Sequence, residues 1–393
     1  MRQSAPATLH LITGEYPPQF GGVSDYTRSI AVGLAAAGAS VHVWCPATTE
    51  PDETPAVSGV TVHRSAGQWG RPDLARLDRE LDQVPGPRRL IVQWVPQAYG
   101  HRSLNVGFCA WARRRAGRGD TVDLMVHEAF LAFGEGGWKQ DLAAAVHRLM
   151  VSLLLSRARR VWVSIPAWGE ALGPYCFWRR PLNFEWLPVP SGVPMIDDAN
   201  SVQATRRAIA DDAPLVVGHF STYESQVRRS LAALVPALLE REPAVTLLLL
   251  GRGSDSFRLT LSAAHPALAH RIKATGVLDA RLLSLSLQAC DMVVQPYPDG
   301  ASSRRTTLMT ALAHSVPVVT TEGRLSEPLW RASGAVRVVP ADDGQALLQA
   351  SLELCADKEE RRRLSIAGRV LYSTRFDIGL AVQAFLSEPS RAA

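Results

Sequence analysis

Residues 9–13 (LHLIT) form a short apolar run, and the turn-rich segment 14–22 (GEYPPQFGG) follows it directly. Apolar side chains then recur at helical spacing over residues 24–37, until Gly38 ends the pattern. Residues 40–45 (SVHVWC) are typical of a second strand. Strand, glycine-containing turn, helix and strand make a βαβ unit, which predicts a parallel sheet with a right-handed crossover.

The same alternation continues along the chain. Further strand-like runs lie at residues 59–63, 89–94, 122–126, 161–164, 215–218, 245–250, 271–275, 291–295 and 316–321. Helical patterns cover residues 142–160, 226–239 and 378–386. Strands that alternate with helices predict an α/β protein whose parallel sheets carry helices on both faces.

A break at residues 185–214, with a turn-rich stretch at 186–194 and a polar one at 197–201, interrupts this alternation. We place an interdomain linker here, which divides the chain into two similar α/β halves over residues 1–195 and 196–371, followed by a C-terminal helical segment, 372–393. The length of 393 residues also favours two domains.

The composition excludes several classes of protein. Hydrophobic residues make up 47% and charged residues 20%, which is typical of a globular chain and excludes a disordered or fibrous one. The net charge of +5 is too small to indicate a nucleic-acid partner. Five dispersed cysteines, with neither a signal-peptide pattern nor a membrane-spanning run, predict a cytoplasmic protein with reduced thiols.

Ligands of open parallel sheets bind outside the carboxyl ends of the strands, so function is sought in the loops that follow strands. Gly21 and Gly22 lie in such a loop, where backbone amides at a helix N-terminus can approach an anion; a tight turn is an equally good interpretation. His127 follows the strand at 122–126, and we expect it to point into a cleft, with a structural role as the alternative.

Residues 295–307 (QPYPDGASSRRTT) are the most informative segment. Ser302, Ser303, Arg304 and Arg305 precede a helix of small and apolar residues. Helix N-terminal amides, hydroxyl groups and guanidinium groups together bind diphosphate well. We favour an anion site over the alternative in which Ser302 or Ser303 caps the helix and the arginines face solvent.

Two surfaces allow opposite interpretations. The basic clusters 113–118 and 157–160, with apolar residues at 149–155, suggest peripheral contact with the anionic inner face of a membrane; solvated helix ends are the alternative. The aromatic segments 69–72 and 94–99 either stack on an acceptor sugar or pack in the core.

Taken in order, several motifs resemble those of glycosyltransferase family 4. They are residues 15–23, the His127-Glu128 pair, residues 187–193 (LPVPSGV), residues 217–220, residues 248–253 (LLLGRG) and residues 311–319 (ALAHSVPVV). The family consists of retaining, nucleotide-sugar-dependent enzymes with the GT-B fold, in which two Rossmann-like domains face a central cleft. The resemblance therefore implies a glycosyltransferase with an N-terminal acceptor-binding domain, a C-terminal donor-binding domain and a last helix that packs back on the first domain.

The resemblance also implies roles for individual residues. The implied catalytic residues are His127, which hydrogen-bonds the donor sugar, and Gly22, which with Gly21 approaches the diphosphate or the reacting sugar. The implied donor site contains Gly21, Gly22, His219, Ser221, Gly251, Gly276, Val277, Leu278, Ser302, Ser303, Thr306, Thr307 and Thr310.

The chain departs from the family pattern in two ways. The two acids of the family match Ser302 and Thr310, so both carboxylates are missing, and residues 219–223 (HFSTY) replace the usual arginine and lysine. We infer that Arg304 or Arg305 supplies the missing positive charge to the leaving diphosphate and acts in catalysis.

We therefore predict retaining, metal-independent transfer of a sugar, without a cofactor, to a sugar, glycolipid or small-molecule acceptor. A non-catalytic relative that binds nucleotide sugars and a GT-B epimerase are the alternatives. A phosphorylase is disfavoured because its cofactor usually needs a lysine, and the chain has only Lys139, Lys273 and Lys358.

Overall fold

A computed structural model describes residues 8–48, 55–134, 136–177, 182–211 and 213–387. Unit 1 comprises Met1–Pro188 and Ile378–Ala393, and unit 2 comprises Val189–Asp377. The first division therefore falls slightly before the predicted 195/196 position. Residues after Pro188 belong to unit 2 because Val189 N donates to Ser303 O at 2.9 Å and Ser191 N donates to the Tyr372 hydroxyl at 3.1 Å.

Unit 1 is built on a parallel sheet. Its elements up to the division are β1 (Thr8–Ile12), α1 (Gly22–Ala36), β2 (Ser40–Trp44), β3 (Val60–His63), α2 (Arg71–Gln83), β4 (Arg89–Trp94), α3 (Val106–Gly117), β5 (Thr121–Val126), α4 (Trp138–Leu155), β6 (Val161–Val163), α5 (Pro166–Leu172) and β7 (Phe184–Trp186). The strand order is β3-β2-β1-β4-β5-β6-β7, so the order reverses between β1 and β4. That reversal is where an open α/β sheet forms a binding crevice.

Unit 2 has a second parallel sheet. Its elements are α6 (Ala199–Ala210), β8 (Leu215–Phe220), α7 (Ser225–Arg241), β9 (Val245–Leu250), α8 (Ser254–Ala264), β10 (Ile272–Ala274), α9 (Ala280–Gln288), β11 (Met292–Gln295), α10 (Thr306–Ala313), β12 (Val318–Glu322), α11 (Leu329–Ser333), β13 (Arg337–Pro340), α12 (Gly344–Ala356) and α13 (Lys358–Arg375). The strand order is β10-β9-β8-β11-β12-β13, with the reversal between β8 and β11. Two Rossmann-like parallel sheets confirm the predicted fold class.

The last helix, α14 (Ile378–Leu386), belongs to unit 1 although it follows unit 2 in the chain. It lies close to α1, since a Cβ added at Gly33 would lie 2.5 Å from Val382 Cγ2. The Phe385 ring is fully buried and meets Trp162 edge-on at 4.8 Å. Arg160 donates to the Ser387 carbonyl at 2.8 Å and so satisfies backbone beyond the end of the helix.

Helix α4 differs from its prediction at both ends. It begins at Trp138 rather than near 142 and ends at Leu155 rather than near 160. The residues after it run into β6 because Arg159 N donates to Val122 O at 2.8 Å and Leu124 N donates to Arg160 O at 3.0 Å. The basic pattern near 160 therefore belongs to a strand lead-in and not to a helix.

Three histidines and a tryptophan form a stack on one face of β1, β2 and β3. The His42 and His63 rings are nearly parallel, with Nδ1 of the first 2.9 Å from Nε2 of the second. The Trp44 indole donates to His10 Nδ1 at 3.1 Å. His10 is fully buried, and burial is the main reason its pKa falls to about 3, so it is neutral in the folded chain.

None of the helices in the described ranges combines the length and apolar character needed to cross a membrane.

Candidate functional site

The N-terminus of α1 in unit 1 holds a carboxylate from its own chain. Val23 N and Ser24 N donate to Glu15 Oε1 at 3.1 and 3.0 Å. A Cβ added at Gly21 would lie 2.2 Å from the same oxygen, whereas one added at Gly22 would meet nothing within 4 Å. The first glycine therefore makes room for Glu15, and only Gly22 leaves open space beside the helix. The expectation that both glycines approach an external anion is wrong for Gly21, because an internal anion occupies the position.

His127 stands at the end of β5 and is 7% exposed. Its Nε2 lies 2.9 Å from Gln93 Oε1, and the Tyr26 ring meets it edge-on at 4.7 Å. Burial lowers the pKa of His127 to about 3, so the imidazole is neutral at physiological pH. Neighbouring side chains enclose most of the ring, which favours the structural alternative and leaves only a small part of the imidazole for a ligand.

Two residues that contact His127, Tyr26 and Gln93, have buried polar atoms without hydrogen-bond partners in the described part of the chain, and so does Thr27, next to Tyr26 in the chain. These atoms are the Tyr26 hydroxyl, the Thr27 hydroxyl and Gln93 Nε2. Buried polar groups are normally paired, so such atoms mark positions where water or a ligand hydroxyl would bind.

The structure decides between the two interpretations of the aromatic segments and limits the one of the basic clusters. Trp69, Trp94 and Tyr99 are 1% exposed or less, so these aromatic rings pack in the core and offer no stacking surface. In the basic clusters, Arg115 is paired with Asp82 and Asp120, and Arg160 with Glu185. Val151, Leu154 and Leu155 are buried as well. The remaining arginines of the two clusters are exposed: Arg113, Arg114, Arg118, Arg157 and Arg159. The clusters therefore keep a basic surface, but most of the apolar residues beside them are buried.

In unit 2, His219 lies near the end of β8 and is 1% exposed. Its Nδ1 donates to Val294 O at 2.7 Å, while its Nε2 is buried and has no partner among the described residues. Burial lowers the pKa of this histidine to about 4. On the neighbouring β11, Gln295 Oε1 is likewise buried and unpaired. Two unpaired acceptors on adjacent strands thus lie next to the strand reversal.

The loops after β8, β9 and β10 depend on glycine. A Cβ added at Gly251 (φ +100°) would lie 2.4 Å from Ser221 O, so these two predicted residues are in contact. Gly276 N donates to Ser254 Oγ at 2.9 Å. Val277 is 57% exposed and Leu278 is half-buried, which leaves this loop open to a ligand.

The loop after β11 carries both predicted catalytic arginines. Arg304 and Arg305 each form an ion pair with the Asp299 carboxylate. Burial opposes ionisation of Asp299, but the two guanidinium charges outweigh it and lower its pKa. Arg305 lies over the Tyr297 ring at 4.9 Å, and its Nε is buried without a partner in the described structure. The pair therefore has one net positive charge, since Asp299 neutralises half of it.

The two serines of this loop have different surroundings. Ser303 N donates to both oxygens of Glu327, at 3.0 and 3.2 Å, and its hydroxyl also donates to Glu327. Ser302 is fully buried, and its hydroxyl has no partner in the part of the chain that the structure describes. Of the two, Ser302 has the group left over for a ligand.

Helix α10 begins at Thr306, with Arg305 immediately before it and no side-chain cap. The alternative in which a serine caps this helix is therefore wrong. Thr307 Oγ1 lies 2.7 Å from the Tyr297 hydroxyl, and Thr310 Oγ1 donates to Thr306 O at 2.7 Å. Both hydroxyls serve the protein internally, which weakens their assignment to a donor site.

Sequence reasoning missed four residues that shape these sites: Glu15, Gln93, Asp299 and Glu327. Glu15 lies in the segment 14–22 and Asp299 in the segment 295–307, both of which the sequence singles out. Turns bring their partners to them, and the distance between residues along the sequence does not reveal such turns. Glu327 follows β12, and a search of that strand's loop would have found an acid there. Gln93 lies within β4, where nothing in the sequence separates it from a core position.

The site chemistry suits an anion more readily than a metal. An unblocked helix N-terminus, a buried hydroxyl and two guanidinium groups converge on the loop before α10. Among the residues with described positions, no group of three or more His, Cys, Asp or Glu side chains is placed to hold a metal ion.

Comparison with known families gives a match for each unit. Residues 21–182 match the family model described as "Glycosyl transferase 4-like domain". Residues 213–357 match the one described as "Glycosyl transferases group 1". A sequence search of curated proteins found no match.

Solved structures with the same fold cover nearly the whole chain. A sucrose-phosphate synthase from Thermosynechococcus elongatus has a TM-score of 0.69 at 18% identity, over 96% of this chain and 98% of its own. HepE from Anabaena in complex with UDP has a TM-score of 0.68 at 18% identity, with the same coverage. An α,α-trehalose-phosphate synthase (UDP-forming) from Burkholderia xenovorans, in complex with glucose-6-phosphate, has a TM-score of 0.66 at 12% identity, over 97% of this chain and 99% of its own.

Proposed function

Because the chain belongs to the glycosyltransferases of GT-B fold, with a 4-like first domain and a group 1 second domain, we propose that it transfers a sugar from a nucleoside diphosphate to an acceptor with retention of configuration. The loop before α10 is the observation that carries the donor assignment. It combines two arginines, the buried and unpaired Ser302 hydroxyl and an uncapped helix N-terminus. Each favours the growing negative charge of a leaving diphosphate.

In the proposed reaction the bond between the anomeric carbon and the β-phosphate oxygen breaks, and its electron pair leaves with the phosphate. The acceptor hydroxyl forms the new bond on the same face of the sugar, and its proton passes to the departing phosphate oxygen. Arg304 and Arg305 stabilise the charge of that oxygen. No nucleophilic carboxylate is needed in this scheme, which suits a chain with Ser302 and Thr310 at the two acid positions.

His127 is proposed to hydrogen-bond a hydroxyl of the donor sugar through its neutral imidazole. Its pKa of about 3 supports this role, because the ring neither gains nor loses a proton between pH 5 and pH 8. A role as general acid is correspondingly disfavoured.

We propose that turnover is independent of metal ions, because the arginine pair supplies the positive charge that a divalent cation would otherwise bring to the phosphates. The test is turnover with and without EDTA. Strong, EDTA-reversible dependence on Mg²⁺ or Mn²⁺ would contradict this part of the proposal.

The first experiment is a thermal-shift screen of nucleoside diphosphates and their sugars, since a bound donor raises the unfolding temperature. UDP-glucose is the first donor to test, because an Anabaena HepE structure is described as a complex with it. The nucleotide sugar that raises the unfolding temperature is then incubated with the protein, and release of free nucleotide is measured. Release distinguishes an enzyme from a non-catalytic relative. Binding without release would favour the non-catalytic relative, a reading that the internally bonded Ser303, Thr307 and Thr310 support.

We propose peripheral membrane contact through a surface that shares Leu149 with the predicted one and extends to the start of α4. Trp138, Leu142 and Leu149 are 72, 56 and 53% exposed on α4, and Lys139 lies beside the first of them. Exposed apolar side chains next to a cation favour an anionic lipid surface. Co-sedimentation with phosphatidylglycerol vesicles tests this, and equal failure of the wild type with anionic and neutral vesicles would exclude it.

A further inference from the structure

The loops that follow β11 and β12 are joined through their backbones. Leu325 N donates to Asp299 O at 3.0 Å. A Cβ added at Gly300, whose φ is +90°, would lie 2.2 Å from Gly323 N. The backbones of these two loops are therefore in close contact, and the path of the arginine-bearing loop depends on its neighbour.

Glu327 extends this connection through a side chain. It is 6% exposed, and its carboxylate accepts from Ser303 N, from the Ser303 hydroxyl and from Trp330 Nε1, the last at 2.6 Å. Burying a carboxylate is costly unless donors compensate it, and burial accordingly raises the pKa of Glu327. An apolar side chain would fill the same space without that cost. The carboxylate is therefore explained by its three donors, two of which belong to Ser303 in the arginine-bearing loop.

The contact with Glu327 fixes the orientation of Ser303, which is next to Ser302 in the chain. Both donors of Ser303 are directed to the carboxylate, and the neighbouring Ser302 has a buried hydroxyl without a partner within the described residues. Arg305 Nε is in the same situation. Two unpaired donors therefore stand on the loop that Glu327 holds.

We propose that Glu327 is a positioning residue that holds the loop so that Ser302 and Arg305 present their unpaired donors to the β-phosphate of a nucleoside diphosphate. This inference rests on the proposed function. It returns a carboxylate to the neighbourhood of Ser302, where the family pattern has an acid, but supplies it from the following loop. Glu327 acts through Ser303 and does not itself contact the phosphate.

The test compares the affinities of UDP and UMP, by calorimetry, for the full chain and its variants. GDP with GMP, or ADP with AMP, replaces this pair if the thermal-shift screen selects another base. In Glu327→Ala we expect affinity for the diphosphate to fall about tenfold while affinity for the monophosphate is unchanged, because only the β-phosphate contacts are lost. Glu327→Gln keeps a carbonyl acceptor for Ser303 N, so its loss should be smaller.

Asp291→Asn is the matched control. Asp291 lies in the same unit before β11, at the opposite end of the strand, where its carboxylate accepts from Val216 N at 2.7 Å and from Arg206 at 2.8 Å. A variant that only weakens the fold should lower the unfolding temperature but leave the ratio of diphosphate to monophosphate affinity unchanged. Ser303→Ala removes the hydroxyl contact alone and provides a second test if Glu327→Ala does not fold; it should lower the ratio partly.

An unchanged ratio in Glu327→Ala, or in Ser303→Ala where the former does not fold, would overturn the inference while leaving the proposed function intact. An equal change of this ratio in Asp291→Asn would also overturn the inference, because the change would then result from a loss of stability and not from the contact between Glu327 and Ser303. If the wild type binds no nucleoside diphosphate at all, both the inference and the proposed function are wrong.

Discussion

Glu15 and Gly21 illustrate how much of a site is decided between single residues. The carboxylate of Glu15 accepts from two amides at the start of α1, and Gly21 has no side chain that would collide with it. The glycine-rich turn was predictable from the sequence because it lies between a strand and a helix. The acid that fills it was not, since the turn brings Glu15 back over eight residues to Val23.

Gly21→Ala should destabilise the protein, whereas Gly22→Ala should not. The added Cβ at the first position would lie 2.2 Å from the Glu15 carboxylate, and at the second it would meet nothing within 4 Å. We expect a loss of about 1–3 kcal/mol in the free energy of unfolding for the first variant and a change within about 0.5 kcal/mol or a small gain for the second. Urea unfolding of both variants measures the difference, and equal stabilities would contradict the close approach.

Replacing both arginines of the loop before α10 should reduce turnover more than it reduces binding of the donor. Arg304→Ala with Arg305→Ala removes the positive charge proposed to stabilise the leaving diphosphate, and loss of such a group typically lowers kcat by about 10²-fold. Steady-state kinetics with the donor from the screen measure this. Arg331→Ala, which removes an exposed arginine paired with Glu322 in the same unit, is the control and should have wild-type kcat. Full turnover by the double variant would refute the role of both arginines.

At the scale of elements, α14 is held on unit 1 by buried side chains, of which Phe385 is the largest, and by arginines that bind carbonyl groups at its end. Phe385 is fully buried against Trp162, and Arg89 donates to its carbonyl oxygen. Phe385→Ala should therefore cost about 3–5 kcal/mol of stability, since it leaves a cavity beneath the helix. The neighbouring Leu386 is 37% exposed, so Leu386→Ala should cost much less. Chemical unfolding of both variants tests this, and similar losses would show that the helix is held otherwise.

The bounds of α14 and β9 follow directly from the sequence, because their apolar patterns end at turn residues. The ends of α4 do not, because hydrogen bonds to neighbouring strands stop the helix where its pattern continues. Similarly, the serines and arginines of residues 295–307 predict an anion site in that loop. Only the folded chain shows that the Thr310 hydroxyl donates to Thr306 O. Periodicity reports burial, and it does not report which hydroxyl a side chain meets.

Across the whole molecule, buried histidines link stability to pH, and the shifts are largest for three of them. Burial lowers the pKa of His10 and His127 to about 3 and that of His219 to about 4, whereas in the unfolded chain each has an ordinary value near 6.5. Below pH 6.5 the unfolded chain therefore takes up protons that the folded chain does not, and stability falls as the pH falls. At pH 5.5 each histidine should contribute a loss of about 1.4 kcal/mol.

His10→Asn isolates this effect from other groups. Glu15 and Glu327 have pKa values raised by burial, so their contribution has the opposite sign and stabilises the fold as the pH falls. The comparison of wild type and variant cancels these carboxyl groups. The loss of unfolding free energy between pH 7 and pH 5.5 should be smaller in the variant by the contribution of one histidine, and parallel pH profiles would disprove the assignment.

The contact of Gly300 with Gly323 also limits how this protein can be redesigned. Transplanting the arginine-bearing loop alone from a relative with different donor preference would set a foreign backbone against Gly323, where even one added carbon lies 2.2 Å from the amide nitrogen. Loops 296–305 and 323–328 should therefore be transferred together when either is exchanged. Libraries that vary both segments jointly should yield folded variants far more often than libraries that vary either one.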